Sequence, residues 1–177
     1  MDENDQHIEP LNDAELAWVT EELANAQKLV AKHCPGVTCE ALTPQILDRA
    51  YARAYESAPD SDAEYANAVI NAIGIAFGQH LVDTLGFEWC AVFDAHGQEL
   101  AVVAFPDTAK MLVFPPNLVA KRWTDGTTDF LTYVDKGIQD NHSLFREHWR
   151  KRGGRSTASS KYSLLSWIRG KLFSNRG

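Results

Sequence analysis

Apolar residues in the first half of the chain recur at intervals of three and four, the spacing of one face of an α-helix. This pattern predicts three helices, over residues 12–32, 43–56 and 61–85. Each of them begins at a residue whose side chain can accept hydrogen bonds from the free amides of the first turn, namely Asn12, Thr43 and Ser61.

Two glycines, Gly74 and Gly78, lie four residues apart in the predicted third helix. Each lowers helix stability by about 1 kcal/mol relative to alanine. Because they share one face, they indicate a groove in which another helix or strand packs closely against this helix. Gly86 is expected to end the helix, since glycine readily adopts the left-handed conformation of a C-terminal cap.

The spacing of apolar residues then changes from 3.6 to 2, which favours strands. The runs FEWCAVF, ELAVVAF and MLVF predict three short strands, and their short connections favour an antiparallel meander. Both faces of these strands carry apolar residues, so we expect helices to cover one side and other residues to cover part of the other. Two more helices are predicted, a short one in LVAKRW after Asn117 and another over residues 128–139.

The predicted fold is therefore α+β, with N-terminal helices packed on a small three-stranded antiparallel sheet, followed by one or two helices and a basic tail. Residues 1–9 are expected to be disordered and residues 10–141 to form a single domain. Residues 142–177 are expected to form a basic linker and a short amphipathic tail, with a chain of 177 residues fitting one domain.

Charge is distributed unevenly along the chain, whose net charge is −7. Residues 1–141 contain 23 Asp and Glu against 8 Lys and Arg, a net charge of −15, whereas residues 142–177 contain 9 Lys and Arg against one Glu, a net charge of +8. So acidic a body repels the phosphates of nucleic acid, and only the tail could attract them.

The compartment is expected to be the cytoplasm. The first ten residues are acidic and polar, unlike a secretory signal peptide. The three cysteines, Cys34, Cys39 and Cys90, are too few for a disulfide-framed secreted domain, and no apolar run approaches the roughly 20 residues of a membrane span.

Two long runs carry a resemblance to a known family, VINAIGIAFGQHLVDTLGFEWCAVFDAHG and LVFPPNLVAKRWTDGTTDFLTYV. The matching positions are Asn71, Gly74, Gly78, Leu85, Gly86 and Trp89 in the first run and Phe114, Pro115, Lys121, Arg122 and Gly126 in the second. Over roughly residues 65–140 the chain resembles the bacterial domain-of-unknown-function family 3806. The resemblance implies a small bacterial α+β domain with no established activity, substrate or cofactor.

Candidate catalytic and metal-binding residues are sparse. His33, Cys34 and Cys39 lack the paired spacing of a zinc site and are interpreted as loop residues, so no metal or cofactor is expected. Cys90 could act as a nucleophile with His80 or His96, but a cysteine within a strand usually behaves as a small apolar residue. His80, Asp83 and Glu88 form a weak acid–base candidate near the end of the third helix.

Two cationic and aromatic segments are the better candidates, and both favour binding of another protein. Lys121, Arg122 and Trp123 are adjacent, and arginine and tryptophan are common at interface hot spots; the alternative is a structural ion pair of Arg122 with Asp125 or Asp129. In the tail, the partner-binding candidates are Trp167, Arg169 and Lys171, beside an apolar stripe formed by Leu164, Ile168 and Leu172.

The sequence therefore favours a non-catalytic protein-interaction module and leaves two alternatives open. One is a small hydrolase or ligand-binding domain that uses a cleft between a helix and the sheet. The other is a peripheral membrane protein or toxin-neutralising factor that uses the basic tail for weak contact with an anionic surface. The tail could also fold back onto the acidic body. The sequence does not predict the oligomeric state.

Overall fold

The computed structural model describes residues 7–37, 42–59, 62–94, 97–105 and 111–151, with side chains as far as Glu147. The elements within these residues are, in chain order, β1 (His7–Pro10), α1 (Asp13–His33), α2 (Pro44–Glu56), α3 (Ala63–Leu85), β2 (Glu88–Asp94), β3 (Gly97–Ala104), β4 (Met111–Val113), α4 (Pro115–Asp125) and α5 (Leu131–Lys151). The fold is α+β.

The predicted helix starts are largely confirmed by hydrogen bonds. Asn12 Oδ1 accepts from the amides of Ala14 and Glu15, both at 3.0 Å, while Glu15 Oε2 accepts from the Asn12 amide at 2.8 Å, a complete capping box. Thr43 caps α2 as predicted. The cap of α3 is Asp62, one residue after the predicted Ser61, because its carboxylate accepts from the Tyr65 amide at 2.9 Å. Ser61 itself lies outside the described residues.

The sheet has four antiparallel strands in the order β1-β2-β3-β4, so the prediction of three strands is wrong by one. The additional strand, β1, lies where disorder was expected. Its register with β2 runs from His7 opposite Phe93 to Pro10 opposite Cys90. It escaped detection because Ile8 is its one large apolar residue, and backbone hydrogen bonds to a neighbouring strand do not depend on an apolar pattern.

The two faces of the sheet have different neighbours. The inner face carries Trp89, Val102, Ala104, Met111 and Val113, which pack against the helices in the main core. The outer face, defined by residues paired across the strands, carries Ile8, Cys90, Val92, Ala101, Val103 and Leu112. Its buried members form a second, separate apolar cluster.

The close packing predicted for the two glycines is confirmed. A Cβ atom added to Gly74 would lie 2.6 Å from the Cα of Pro116, and one added to Gly78 would collide with the ring of Trp89. The helix α3 therefore packs closely against α4 at one glycine and against the sheet at the other.

By length and composition α3 could also cross a membrane, yet here half of its most apolar stretch is buried within the protein.

The last two helices differ from their predictions. In α4, Pro115 takes the first turn and Asn117 caps nothing; its side-chain amide donates instead to Glu99 Oε2 at 2.7 Å. The helix α5 extends to Lys151, far beyond the predicted end at residue 139. Its second half stays helical because His142 and Phe145 pack against the ring of Phe105, so the expected domain boundary at residue 141 falls inside a helix.

The start of α5 is fixed by a residue of α2. Asp48 is buried, and its carboxylate accepts hydrogen bonds from the Leu131 amide at 2.8 Å, the Thr132 amide at 2.9 Å and the Thr132 hydroxyl at 2.7 Å. Helix starts have free amides and a positive dipole end, so a carboxylate is well suited to this position. One side chain thus joins α2 to α5 through residues that are 83 positions apart in sequence.

Replacing Gly74 with alanine is expected to lower the free energy of unfolding by about 3 kcal/mol, since the new methyl group overlaps the backbone of Pro116, which cannot move aside as a side chain could. Urea denaturation measures the change. The control is Asn67→Ala on the exposed face of the same helix, for which we expect no loss. A Gly74→Ala protein as stable as the original would contradict the close packing of α3 against α4.

Replacing Asp48 with alanine is expected to cost about 3 kcal/mol of unfolding free energy, because a buried amide, a partly buried amide and a hydroxyl lose their acceptor. The matched control is Asp62→Ala, which removes an exposed cap and should cost about 1 kcal/mol. Thermal and urea unfolding of both variants measure the difference. Equal costs at the two positions would show that burial of the Asp48 cap contributes nothing.

Candidate functional site

A shallow apolar groove lies between α1 and α3. Its volume is about 230 Å³, and its lining residues are Asn25, Lys28, Leu29 and Lys32 from α1 and Tyr65, Ala68, Val69 and Ala72 from α3. The ammonium of Lys32 lies 5.8 Å from the centre of the Tyr65 ring, within the range of a cation–π contact. The groove therefore combines an apolar floor with a cationic edge.

The cationic edge continues onto α2. Lys28 and Lys32 lie one turn apart on α1, while Arg49 and Arg53 lie one turn apart on the exposed face of α2. The guanidinium of Arg53 donates to the backbone carbonyl of His33 at the end of α1, and the charges of Lys32 and Arg53 both act on His33, so these two cations lie near each other. These four residues, called the basic patch below, are half of the eight Lys and Arg among residues 1–141.

The pKa values of two residues near the groove, His33 and Glu22, are shifted by their surroundings. Burial lowers the pKa of His33, and the nearby charges of Lys32 and Arg53 lower it further. At the other end, Asn25 donates to Glu22 Oε1 at 3.3 Å, and burial raises the pKa of Glu22.

The groove and the basic patch were missed in the sequence because they are products of tertiary packing. The spacing of Lys28 and Lys32 is ordinary for an exposed helix face. Arg53 meets α1 only after α1 and α2 have packed together. The available signal was the grouping of four of the body's eight cations within residues 28–53.

Of the three adjacent candidates at the end of α4, Lys121 is the exposed one. The side chain of Arg122 is only 16% exposed, with Nη1 3.8 Å from Asp125 Oδ2 and the guanidinium 5.9 Å from the centre of the Phe130 ring. The ion pair with Asp125 was one of the predicted alternatives and is confirmed. Arg122 is therefore largely committed to contacts within the domain.

Trp123 is part of an aromatic cluster. Its ring meets those of Tyr51 and Tyr55 edge-on, with centroids 5.9 and 5.0 Å apart. Tyr51 is fully buried, burial raises its pKa, and its hydroxyl has no hydrogen-bond partner among the described residues. The indole thus stabilises the packing of α4 on α2, which leaves less of it for a partner.

The acid–base candidates do not come together. His80 Nε2 lies 3.2 Å from Asp135 Oδ1 on α5, a residue that sequence reasoning missed because it lies 55 positions away. Asp83 instead accepts from Gln79 at 2.8 Å, and Glu88 is exposed on the outer face of the sheet. The described arrangement is a partly buried His80–Asp135 contact between two helices.

The cysteine and histidine candidates are also dispersed. Cys34 is buried in the main core and Cys90 in the cluster of the outer face, while Cys39 and His96 lie outside the described residues. In the part of the chain that the structure describes, no group of three or more His, Cys, Asp or Glu could hold a metal ion. The tail candidates Trp167, Arg169 and Lys171 lie beyond residue 151 and so outside the described residues.

His142 lies on α5 and is buried. Its ring stacks on Phe105 with a centroid separation of 4.8 Å and lies 5.7 Å from the ring of Phe87. Burial lowers its pKa, and the charge of Arg146 lowers it further. Because the unfolded chain then binds a proton more readily than the folded one, protonation of His142 favours unfolding.

The free energy of unfolding is therefore expected to fall as the pH drops below about 6.5, the ordinary pKa of histidine, and to level off below the lowered pKa of the folded state. His142→Phe should make this decline smaller, with the remainder coming from His33, whose pKa is also lowered. Urea denaturation between pH 4.5 and about 7.5 measures the profile. His7→Gln on the exposed β1 is the control, and a profile unchanged by His142→Phe would contradict the assignment.

Comparison with known proteins gives one match. A family model described as "Domain of unknown function (DUF3806)" matches residues 46–132. The match begins in α2, includes α3, the strands β2 to β4 and α4, and ends at the second residue of α5. No curated protein and no solved structure matches the chain.

Proposed function

We propose that this chain, whose residues 46–132 match a family model described as a domain of unknown function, is a protein-interaction module that binds a segment of another protein in the groove between α1 and α3. The observation that carries this proposal is the basic patch beside that groove, in a body that is otherwise strongly acidic. The ligand would be a short acidic segment with one or two large apolar side chains.

The size of the groove supports a peptide ligand over a cofactor. Its volume of about 230 Å³ is smaller than the roughly 300–1,000 Å³ of small-molecule sites. One or two side chains the size of leucine or phenylalanine fill such a space. The apolar floor, formed by Leu29, Val69 and Ala72, would gain stability from burying them.

Charge supports the choice of an acidic ligand. Lys28 and Lys32 line the groove, and Arg49 and Arg53 extend the positive potential along α2. Residues 1–141 carry a net charge of −15, so an acidic segment is repelled over most of the surface and attracted at the basic patch. Such complementarity raises association rates and specificity more than it raises affinity.

The other surfaces are less suited to the same role. Around Lys121, the neighbouring Arg122 and Trp123 are engaged in internal contacts. A hydrolase built on His80, Asp83 and Glu88 gains no support from side chains that contact different partners. A membrane contact by the basic tail stays a prediction.

The proposal is tested by selecting ligands from a displayed library of random peptides with the full chain as bait. The enriched peptides are expected to carry Asp and Glu around one or two large apolar residues. Fluorescence anisotropy then measures their affinity for two variants. Lys28→Glu with Lys32→Glu should weaken binding at least about tenfold, a loss of roughly 1.4 kcal/mol, and Ala68→Trp should weaken it by filling the groove.

The matched control is Lys121→Glu with Lys136→Glu, which changes the net charge equally at exposed positions on α4 and α5. It should leave affinity within about twofold of the original, because it lies outside the groove. Loss of binding in this control but not in the Lys28 and Lys32 variant would place the interface at Lys121. A library that yields no enriched peptide would contradict the proposal.

A further inference from the structure

His33, the last residue of α1, lies in cationic surroundings. Lys32 precedes it on the same helix, and the guanidinium of Arg53 on α2 donates a hydrogen bond to its backbone carbonyl. The residue is half-buried, and the Nε2 atom of its ring is buried with no hydrogen-bond partner among the described residues. A titratable side chain is therefore held beside two permanent charges where α1 and α2 meet.

These surroundings disfavour the charged form of the ring. Burial has the largest effect and lowers the pKa of His33, and the charges of Lys32 and Arg53 lower it further. The next cations on the two helices, Lys28 and Arg49, lie one turn earlier in each. Because the ordinary pKa of histidine is already about 6.5, the ring is mostly neutral at neutral pH in the free protein.

One of the charges that act on His33 belongs to the groove. Lys32 lines it, with its ammonium 5.8 Å from the centre of the Tyr65 ring, and Leu29, one turn before His33, lines its floor. An acidic segment in the groove places carboxylates near that ammonium and offsets part of its positive potential at the neighbouring ring. The bound segment therefore removes part of the repulsion that keeps His33 neutral.

We propose that His33 takes up a proton when an acidic segment binds in the groove, so that it acts as an additional cation beside the basic patch and makes binding tighter at lower pH. This inference rests on the peptide-binding role proposed above. Binding and protonation are linked reciprocally, because a ligand that favours the protonated ring is bound more tightly once the ring is protonated. The groove thus responds to pH through a residue that precedes no lining residue of α1 and is linked to the groove by Lys32.

Affinity is expected to increase as the pH falls through the pKa of His33 in the complex and to level off below the lower pKa of the free protein. The increase between about pH 7.5 and about pH 5.5 should be about threefold, the size of one exposed charge pair, because burial opposes the charge in both states. The other charges stay constant in this range, since Asp and Glu have ordinary pKa values of about 4 and Lys and Arg of about 10 or more.

Fluorescence anisotropy of the most enriched peptide from the library selection, labelled with fluorescein, measures this dependence on the full chain at about 0.15 M salt. The original protein should bind about threefold more tightly at the lower pH. His33→Gln keeps a polar side chain of similar size but cannot take up the proton, so its affinity should change less than about 1.5-fold. His7→Gln, at an exposed histidine of β1, is the matched control and should keep the full change.

Two further measurements separate proton uptake from a structural effect of the substitution. His33→Lys carries a permanent charge and should bind at about pH 7.5 as tightly as the original does at about pH 5.5, with no dependence on pH. Proton NMR follows the Cε1 proton of His33, assigned by its absence from His33→Gln, and should give a higher pKa for this ring with the peptide bound than without it.

Equal pH dependence in the original protein and in His33→Gln would overturn the proposal. So would a pKa of His33 that is the same with and without the peptide. If the peptide-binding role of the groove is wrong, the selection enriches no peptide, which overturns both proposals. If only the role of His33 is wrong, an enriched peptide still binds and loses affinity with Lys28→Glu and Lys32→Glu, so the two failures are distinguishable.

Discussion

The architecture depends on how closely α3 allows its neighbours to approach. Gly74 admits the backbone of Pro116 and Gly78 admits the ring of Trp89, so one helix face fixes both α4 and the sheet. Each glycine costs about 1 kcal/mol of helix stability, which the burial of the proline and tryptophan surfaces offsets at about 25 cal/mol per Å². With α4 held there, Trp123 reaches the tyrosines of α2, and the chain arrives at Phe130 in position for Asp48 to cap α5.

The parts of the fold that follow from local interactions were predictable, and those that need distant partners were not. The capping box of Asn12 and Glu15 and the left-handed Gly86 are properties of a few consecutive residues. The strand β1 exists through its pairing with β2, and the second half of α5 through contact with Phe105. The same rule holds for the site: the adjacent Lys121, Arg122 and Trp123 were visible in the sequence but are mostly packed inward. The basic patch, assembled from α1 and α2, was not visible.

The positions of the cations within residues 1–141 bear on which ligand these residues can bind. Residues 1–141 carry −15, yet two of their eight Lys and Arg, Lys28 and Lys32, line the groove, and two more, Arg49 and Arg53, are exposed on α2. The acidic ligand proposed for the groove would be repelled by most of the surface and attracted at the basic patch.

The residues that the family model matches are not the same as those that form the groove. The match covers residues 46–132, and its two ends meet in space, because Asp48 near the first boundary caps the helix that contains Thr132 at the last. The matched residues thus form a unit closed by its own hydrogen bonds. The helix α1, which supplies Lys28, Leu29 and Lys32 to the groove, precedes this unit. The family match therefore covers the scaffold formed by α3, the strands β2 to β4 and α4, whereas the groove depends on a helix that the match does not include.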